Sequence, residues 1–146
     1  MNDLIVRARS AIGKGIVYKL GQGGSHPTDP GPTRTGKCDC SGFALWVAGK
    51  DRDKTVNGKY LGTDAIVADA LGAQAAFRRV FTCEPGVFAV YPGSHAGARR
   101  MYGHIGVVTQ VSPMRGVDCG SSSGGITERS FVFFERNPKT IFVVPV

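Results

Sequence analysis

The sequence predicts an α+β protein in which N-terminal helices pack on a C-terminal antiparallel β-sheet. Three stretches with helical spacing of apolar residues come first, and short β-type runs follow Pro85-Gly86. Helices and strands that are segregated along the chain are typical of α+β folds, because each class then forms its own layer around the core. The chain has 146 residues, of which 42% are hydrophobic, so we expect a single domain over residues 1–146.

The helices are predicted from apolar spacing between a polar cap residue and a glycine that ends the helix. We expect helices over Asp3–Ile12, Cys40–Gly49 and Thr63–Leu71, capped by Asp3, by Asp39, and by Thr63 or Asp64. Between the first two, Leu20–Lys37 consists almost wholly of turn formers. Such a stretch is too polar to bury and predicts a long surface loop.

Five short runs rich in β-branched and aromatic residues predict the strands, and each is bounded by turn-forming residues. They are Val87–Tyr91, His104–Val111, Gly116–Cys119, Glu128–Phe134 and Thr140–Val144. Short strands joined by turns pair with their neighbours in the chain, so the predicted sheet is antiparallel.

The charge of the chain is basic, with 18 Lys and Arg against 11 Asp and Glu and a formal net charge of +7. Nucleic acid, anionic lipid and an anionic cell envelope all attract such a chain, and net charge does not choose among them. The basic residues are scattered, whereas a nucleic-acid interface favours a basic stripe interleaved with aromatic residues. We therefore expect no nucleic-acid partner.

The apolar runs are far shorter than the roughly 18–20 residues of a membrane-spanning helix, so no membrane insertion is expected. Asp3, Arg7 and Arg9 fall where a secretory signal would need apolar residues. We therefore predict synthesis in the cytoplasm without a signal peptide, and export by another route.

The four cysteines do not have the spacing of a metal site. Cys38 and Cys40 are separated by one residue, whereas the close pairs of structural zinc sites have about two to four between them. We predict no metal and no cofactor. A domain of this size does not need a disulfide, and one or two bridges after export remain open.

Cys40 is the candidate nucleophile, because it lies in the first turn of a predicted helix between Asp39 and Ser41. Unpaired N–H groups and the helix dipole favour a thiolate there, and the same N–H groups can hold an oxyanion. The alternative is a buried structural cysteine, since free cysteine is among the most buried residue types.

His104 is the candidate base, because it begins a predicted strand next to Gly103 and has room at the end of the sheet. A cysteine nucleophile needs an imidazole within hydrogen-bond reach, and the imidazole needs a third polar group to fix its tautomer. Antiparallel pairing brings Asp118 beside His104 from the next strand. Ser121 and Asn137 are the alternatives for this third role.

Through these residues the chain resembles the NlpC family of papain-like cell-wall cysteine peptidases and amidases, and their CHAP relatives. The motifs are Asp39-Cys40-Ser41-Gly42-Phe43 and Gly103-His104-Ile105-Gly106-Val107-Val108, with Tyr18-Lys19-Leu20-Gly21 and Pro85-Gly86-Val87-Phe88 in the places of two further family segments. The resemblance implies a papain-like fold, Cys40 as nucleophile, His104 as base and then acid, and Asp118 as the group that orients the imidazole. It also implies Tyr18 near the oxyanion, with Asp39, Ser41 and Gly103 beside the substrate.

The activity that the resemblance implies is hydrolysis of an amide bond in the stem peptide or cross-link of peptidoglycan, through an acyl-enzyme. The chain also looks like type VI secretion amidase effectors and phage lysis enzymes. Its partners would then include a delivery machine or an immunity protein, and it would act at the cell wall in the periplasm. The alternatives are a papain-like hydrolase or acyltransferase with another substrate, a non-catalytic cell-wall-binding module, and a basic nucleic-acid-binding domain.

Overall fold

A computed structural model describes residues 2–24, 26–52, 61–96 and 99–146. These residues form four helices, α1 (Asp3–Ser10), α2 (Cys40–Val47), α3 (Thr63–Leu71) and α4 (Val132–Arg136). They also form the strands β1 (Val17–Tyr18), β2 (Lys37–Cys38), β3 (Phe77–Val80), β4 (Phe88–Tyr91), β5 (Ser94–Ala96), β6 (Arg99–Met101), β7 (His104–Gln110), β8 (Arg115–Gly120), β9 (Gly125–Ser130) and β10 (Ile141–Pro145). Among the helices of these ranges, none is long and apolar enough to cross a bilayer.

Eight strands build one mixed sheet in the order β2-β1-β9-β8-β7-β4-β10-β3, and β5 and β6 form a separate hairpin. The pair β1 and β2 is parallel, and the other neighbours in the large sheet are antiparallel. The prediction of helices combined with antiparallel C-terminal strands is therefore confirmed. The prediction that the whole sheet is antiparallel is wrong. β1 and β2 were missed because two-residue strands carry no period-2 pattern.

The helices α1, α2 and α3 cover one face of the large sheet. All eight residues of α2 are buried, and the helix packs on β7 and β8, while α1 contacts β7 and α3 contacts β3 and β4. A helix that is buried all round reads as continuously apolar, as this one does from Phe43 onward. Cys40, the first residue of α2, is near enough to His104, the first residue of β7, to raise its pKa.

The caps of the helices differ in part from the prediction. Asp39 caps α2 as predicted, since its side chain accepts a hydrogen bond from the Gly42 N–H. α1 is capped by Asn2 rather than by Asp3, and it ends at Ser10. α3 begins after Gly62 without a side-chain cap; both predicted cap residues lie within its first turn.

The predicted strand Glu128–Phe134 is wrong beyond Ser130, where the chain turns into α4. Phe131 and Phe134 are fully buried in a second, smaller core on the face of the sheet opposite α2. Side chains three residues apart point the same way on a helix, so one short turn places both rings in that core. An aromatic run favours a strand by propensity, and packing overrides the propensity here.

Two glycines make room for Phe131. A Cβ atom on Gly116 would lie 2.0 Å from Cε2 of Phe131 and 2.3 Å from the Val107 carbonyl oxygen, and one on Gly106 would lie 2.5 Å from Cζ of Phe131. We expect Gly116→Ala to lower the free energy of unfolding by about 1–3 kcal/mol through overpacking, as measured by denaturant unfolding. In Gly31→Ala, the matched control, the new methyl group meets no atom within 4 Å. If the two variants had the same free energy of unfolding, the close packing of Phe131 on Gly116 would be contradicted.

Candidate active site

Cys40 is the first residue of α2, and 7% of its surface is exposed. The Gly42 N–H is taken by the Asp39 carboxylate, and the Phe43 N–H by the Asp39 carbonyl oxygen. Within the described ranges, the N–H groups of Cys40 and Ser41 have no hydrogen-bond acceptor. They are therefore available to a negatively charged oxygen next to the sulfur.

His104 lies between Cys40 and Asp118. Its Nε2 is 2.5 Å from Oδ2 of Asp118, and the Cys40 side chain is near enough to the ring to raise its pKa. Since Asp118 occupies Nε2, the other ring nitrogen is left to serve the sulfur. Burial opposes the charged ring, but the interactions with Asp118 and Cys40 outweigh it and raise the pKa of His104 to about 9.

Asp118 is fully buried on β8 and is held by Arg129 from β9. Nε of Arg129 donates to Oδ1 at 2.9 Å, and Nη2 donates to Oδ2 at 2.6 Å. Burial raises the pKa of Asp118, but the hydrogen bonds from His104 and Arg129 prevail and keep that pKa below its usual value. A bidentate guanidinium of this kind fixes the plane of the carboxylate as well as its charge.

Arg129 is a site residue that the sequence reasoning missed. Its third nitrogen donates to the Ser122 hydroxyl at 2.9 Å, and its guanidinium lies 4.8 Å from the Phe133 ring centroid. The predicted strand did contain Arg129. The only sequence signal was that the strand after the one with Asp118 contains a basic residue. The register of these two strands, which brings Arg129 to Asp118, cannot be deduced from the sequence.

Aromatic rings form a wall beside His104. Phe134 stacks on the imidazole with centroids 5.7 Å apart, Phe133 lies 5.7 Å away, and Tyr91 lies 6.4 Å away. This wall leaves 14% of the His104 side chain exposed. It fixes the plane of the ring and excludes water from the hydrogen bond to Asp118. The wall was missed because α4 was predicted as a strand.

Asp39 and Arg52 form a buried ion pair under the N-terminus of α2. Nη1 and Nη2 of Arg52 lie 2.8 Å from the two carboxylate oxygens, and the Gly21 N–H donates to Oδ2 at 2.8 Å. Ser41 Oγ accepts from Arg52 at 3.1 Å. A Cβ atom on Gly42 would lie 2.7 Å from Nη1 of Arg52, so the glycine leaves room for the arginine. Asp39 and Ser41 therefore position the helix start, and Arg52 is a second residue that sequence missed.

A cleft of about 670 Å³ opens over Cys40. Its lining includes all five of the predicted site residues that lie outside the His104–Asp118 pair, namely Tyr18, Asp39, Cys40, Ser41 and Gly103. Burial, followed by the charges of Cys40 and Asp39, raises the pKa of Tyr18 to about 12. The Tyr18 hydroxyl thus keeps its proton at neutral pH and can donate it to an oxygen in the cleft.

Gly103 acts through its lack of a side chain. A Cβ atom there would lie 2.4 Å from Oγ1 of Thr63 and 2.5 Å from the Tyr91 carbonyl oxygen. The glycine allows the start of β7 to approach α3, which closes the cleft beside His104. Of the alternatives to Asp118, Asn137 accepts the Lys139 N–H, and Ser121 lies in the exposed turn after β8. Neither contacts His104.

The four cysteines are free thiols. Cys38 and Cys119 are fully buried, with the Cys119 sulfur 3.2 Å from the Cys38 carbonyl oxygen. The hydrogen bond with the Cys38 side chain, followed by burial, raises the pKa of Cys119 well above its usual range. Burial also raises the pKa of Cys83. In the described part of the chain, no three His, Cys, Asp or Glu residues are placed to hold a metal ion.

The raised pKa of His104 makes stability depend on pH. The ring titrates at about 9 in the folded protein and at its ordinary 6.5 when unfolded, so folding favours the protonated form. This contribution is complete below pH 6.5 and is lost as pH rises through about 9. We expect the free energy of unfolding to fall by about 3 kcal/mol over that window, measured by denaturant unfolding. His104→Gln should remove this part of the dependence of the unfolding free energy on pH. If the variant kept the whole dependence, other groups would be its cause.

The site thus combines a thiol at a helix N-terminus, an imidazole in contact with it, and a buried carboxylate on the far side of the ring. This arrangement can pass a proton between sulfur and imidazole and can hold an oxyanion beside the sulfur. The chain matches no protein-family model, and no curated protein shows significant sequence similarity to it.

Proposed function

We propose that the protein is a papain-like cysteine hydrolase that cleaves an amide bond in the peptide part of peptidoglycan. The observation that carries the proposal is the hydrogen bond of His104 to the buried Asp118, with 2.5 Å between Nε2 and Oδ2, in a ring whose pKa the helix-start thiol of Cys40 raises. A packed core cysteine needs no imidazole, and a surface histidine needs no buried carboxylate. A thiol beside an imidazole that is itself bound to a buried carboxylate therefore favours nucleophilic catalysis over a binding module.

The mechanism begins with the proton of the Cys40–His104 pair on His104, whose raised pKa favours the imidazolium, and the Cys40 sulfur attacks the carbonyl carbon. The N–H groups of Cys40 and Ser41, with the Tyr18 hydroxyl, donate to the oxyanion that forms. His104 then gives its proton to the leaving nitrogen, the C–N bond breaks, and a thioester remains on Cys40. Water attacks the thioester as His104 takes a proton from it, the C–S bond breaks, and the acid product leaves Cys40 and the protonated His104 as they were at the start.

Asp118 and Arg129 support these steps without touching the substrate. The carboxylate accepts the Nε2 proton and keeps the imidazole in the tautomer whose other nitrogen faces Cys40. It also stabilises the imidazolium that exists while the tetrahedral intermediate is present. Arg129 holds the carboxylate in place and ionised.

The choice of peptidoglycan is supported by the cleft, the charge and the family motifs. A cleft of about 670 Å³ admits several residues of a peptide. The net charge of +7 favours accumulation at an anionic envelope. The Asp-Cys-Ser-Gly and Gly-His motifs resemble those of the cell-wall enzymes of the NlpC family. Action in the periplasm, with delivery by a secretion machine or a phage and with an immunity partner, belongs to the same proposal.

The test is digestion of purified sacculi followed by mass spectrometry of the released fragments. We expect one new amine and one new carboxylate per cut, at a single type of amide bond. Iodoacetamide should inactivate the protein by alkylating Cys40, and EDTA should leave the rate unchanged because the proposed steps use a thiolate. Sacculi that stay intact while Cys40 reacts rapidly with iodoacetamide would favour a cysteine hydrolase of another substrate. Intact sacculi with a slowly reacting thiol would refute catalysis.

A further inference from the structure

A second groove, of about 470 Å³, shares Tyr102 with the cleft over Cys40. Tyr102 lines both spaces, so the two are neighbours around one side chain. We call this second space the aromatic groove. The side chains that matter here are Tyr91, Tyr102 and Phe133, with the cations Arg136 and Lys139.

The aromatic groove adjoins the imidazole. Tyr91 and Phe133, which line it, have ring centroids 6.4 and 5.7 Å from that of His104. The cleft holds the oxyanion donors and therefore the acyl side of the bond that is cut. The leaving nitrogen must meet His104 to receive its proton, so the segment beyond that nitrogen extends toward the aromatic groove.

The charge of the aromatic groove is one-sided. Arg136 and Lys139 form no ion pair among the residues described, and no aspartate or glutamate lines the groove. The cleft differs because its lining has both signs of charge, with the cations Arg52 and Arg100 and the acids Asp39 and Asp64. Two unpaired cations beside apolar rings are complementary to a carboxylate on a peptide chain.

We propose that the aromatic groove binds the leaving-group segment of the substrate and selects a carboxylate in it. This inference rests on the proposed hydrolase function and adds the substrate class: a peptide with a free carboxylate on the leaving side of the cleaved amide. Tyr91 and Phe133 contact the peptide chain, and Arg136 and Lys139 pair with the carboxylate.

The experiment uses two synthetic stem peptides that differ only in a carboxylate or a carboxamide on the leaving side. The test variant is Arg136→Gln/Lys139→Gln. The control is Lys14→Gln/Arg78→Gln, which removes the same charge at exposed positions outside both spaces. We expect the test variant to raise KM for the carboxylate peptide about tenfold, with kcat nearly unchanged and KM for the carboxamide peptide unaffected. The control should match the wild type on both peptides.

A binding measurement separates failure of this inference from failure of the proposed function. The Kd of the two leaving-side fragments is measured by calorimetry with Cys40→Ala protein, with and without the Arg136 and Lys139 changes. Cleavage of both peptides with equal KM, or equal Kd for both fragments, would overturn the carboxylate preference and leave the hydrolase intact. A Kd preference that the double variant loses, without cleavage of either peptide, would support the groove and refute the hydrolase.

Discussion

Cys40→Ala should abolish hydrolysis of sacculi while the protein stays folded. Alanine removes the sulfur that attacks the carbonyl and leaves the N-terminus of α2, the Asp39 cap and the Arg52 ion pair in place. Nucleophile and base act as one unit, so the loss of rate should be at least about 10³-fold. The rate of amine release measures activity, and circular dichroism with denaturant unfolding verifies the fold.

The other cysteines supply the controls for this prediction. Cys83 is half-buried before β4 and does not contact His104, so Cys83→Ala should retain the wild-type rate. Cys38→Ala and Cys119→Ala remove fully buried sulfurs and should lower stability while most of the activity remains. If Cys38→Ala were folded and inactive while Cys40→Ala was active, the nucleophile would be Cys38.

The start of α2 was predictable from sequence because its determinants are local. The Asp39 carboxylate accepts a hydrogen bond from the Gly42 N–H, three residues further along the chain, and Cys40 directly follows Asp39. The pairing of His104 with Asp118 needed one longer step, since it depended on β7 and β8 being antiparallel neighbours joined by a turn. Both inferences use contacts between residues that are adjacent in the chain or across one hairpin.

The two arginines were not predictable in the same way. Arg129 reaches Asp118 diagonally across a strand pair, and Arg52 reaches Asp39 from a segment after α2. Each side chain is long and flexible, and on a chain of net charge +7 an arginine by itself indicates only a solvated surface. Their partners are fixed by the register of β8 with β9 and by the path of the chain after α2.

The segment after β9 was mispredicted for a related reason. Phe131 and Phe134 follow a strand and have strand propensity, but the room that Gly106 and Gly116 leave on the sheet accepts Phe131 from a helical turn. That turn also brings Phe133 and Phe134 against His104. The aromatic wall therefore depends on glycines in strands distant in sequence.

Asp118→Ala should lower turnover about 10²- to 10⁴-fold without removing the nucleophile or the base. The imidazole would lose the acceptor for Nε2, and burial would then lower the pKa of His104 from about 9. His104 needs its proton to protonate the leaving nitrogen, so the alkaline limb of the rate profile and the pKa of His104 measured by NMR should both move down in pH. Asp118→Asn should retain more activity than the alanine variant, because its amide oxygen can still accept the ring proton. A wild-type rate and a wild-type alkaline limb in Asp118→Ala would exclude the carboxylate from this role.

Arg129→Gln tests whether the guanidinium acts through that carboxylate. Alone it should reduce kcat more mildly than Asp118→Ala, since Asp118 keeps its contact with His104 but loses two donors that fix its plane. In the Asp118→Ala background the same change should have no further effect on kcat, which is the non-additivity expected of residues acting in series. The control is Glu128→Gln, a change on the same strand as Arg129. It breaks an exposed ion pair between Glu128 and Arg9 and should leave the pKa of His104 unchanged. Additive losses of kcat from Asp118→Ala and Arg129→Gln would show instead that Arg129 acts on the site by a separate route.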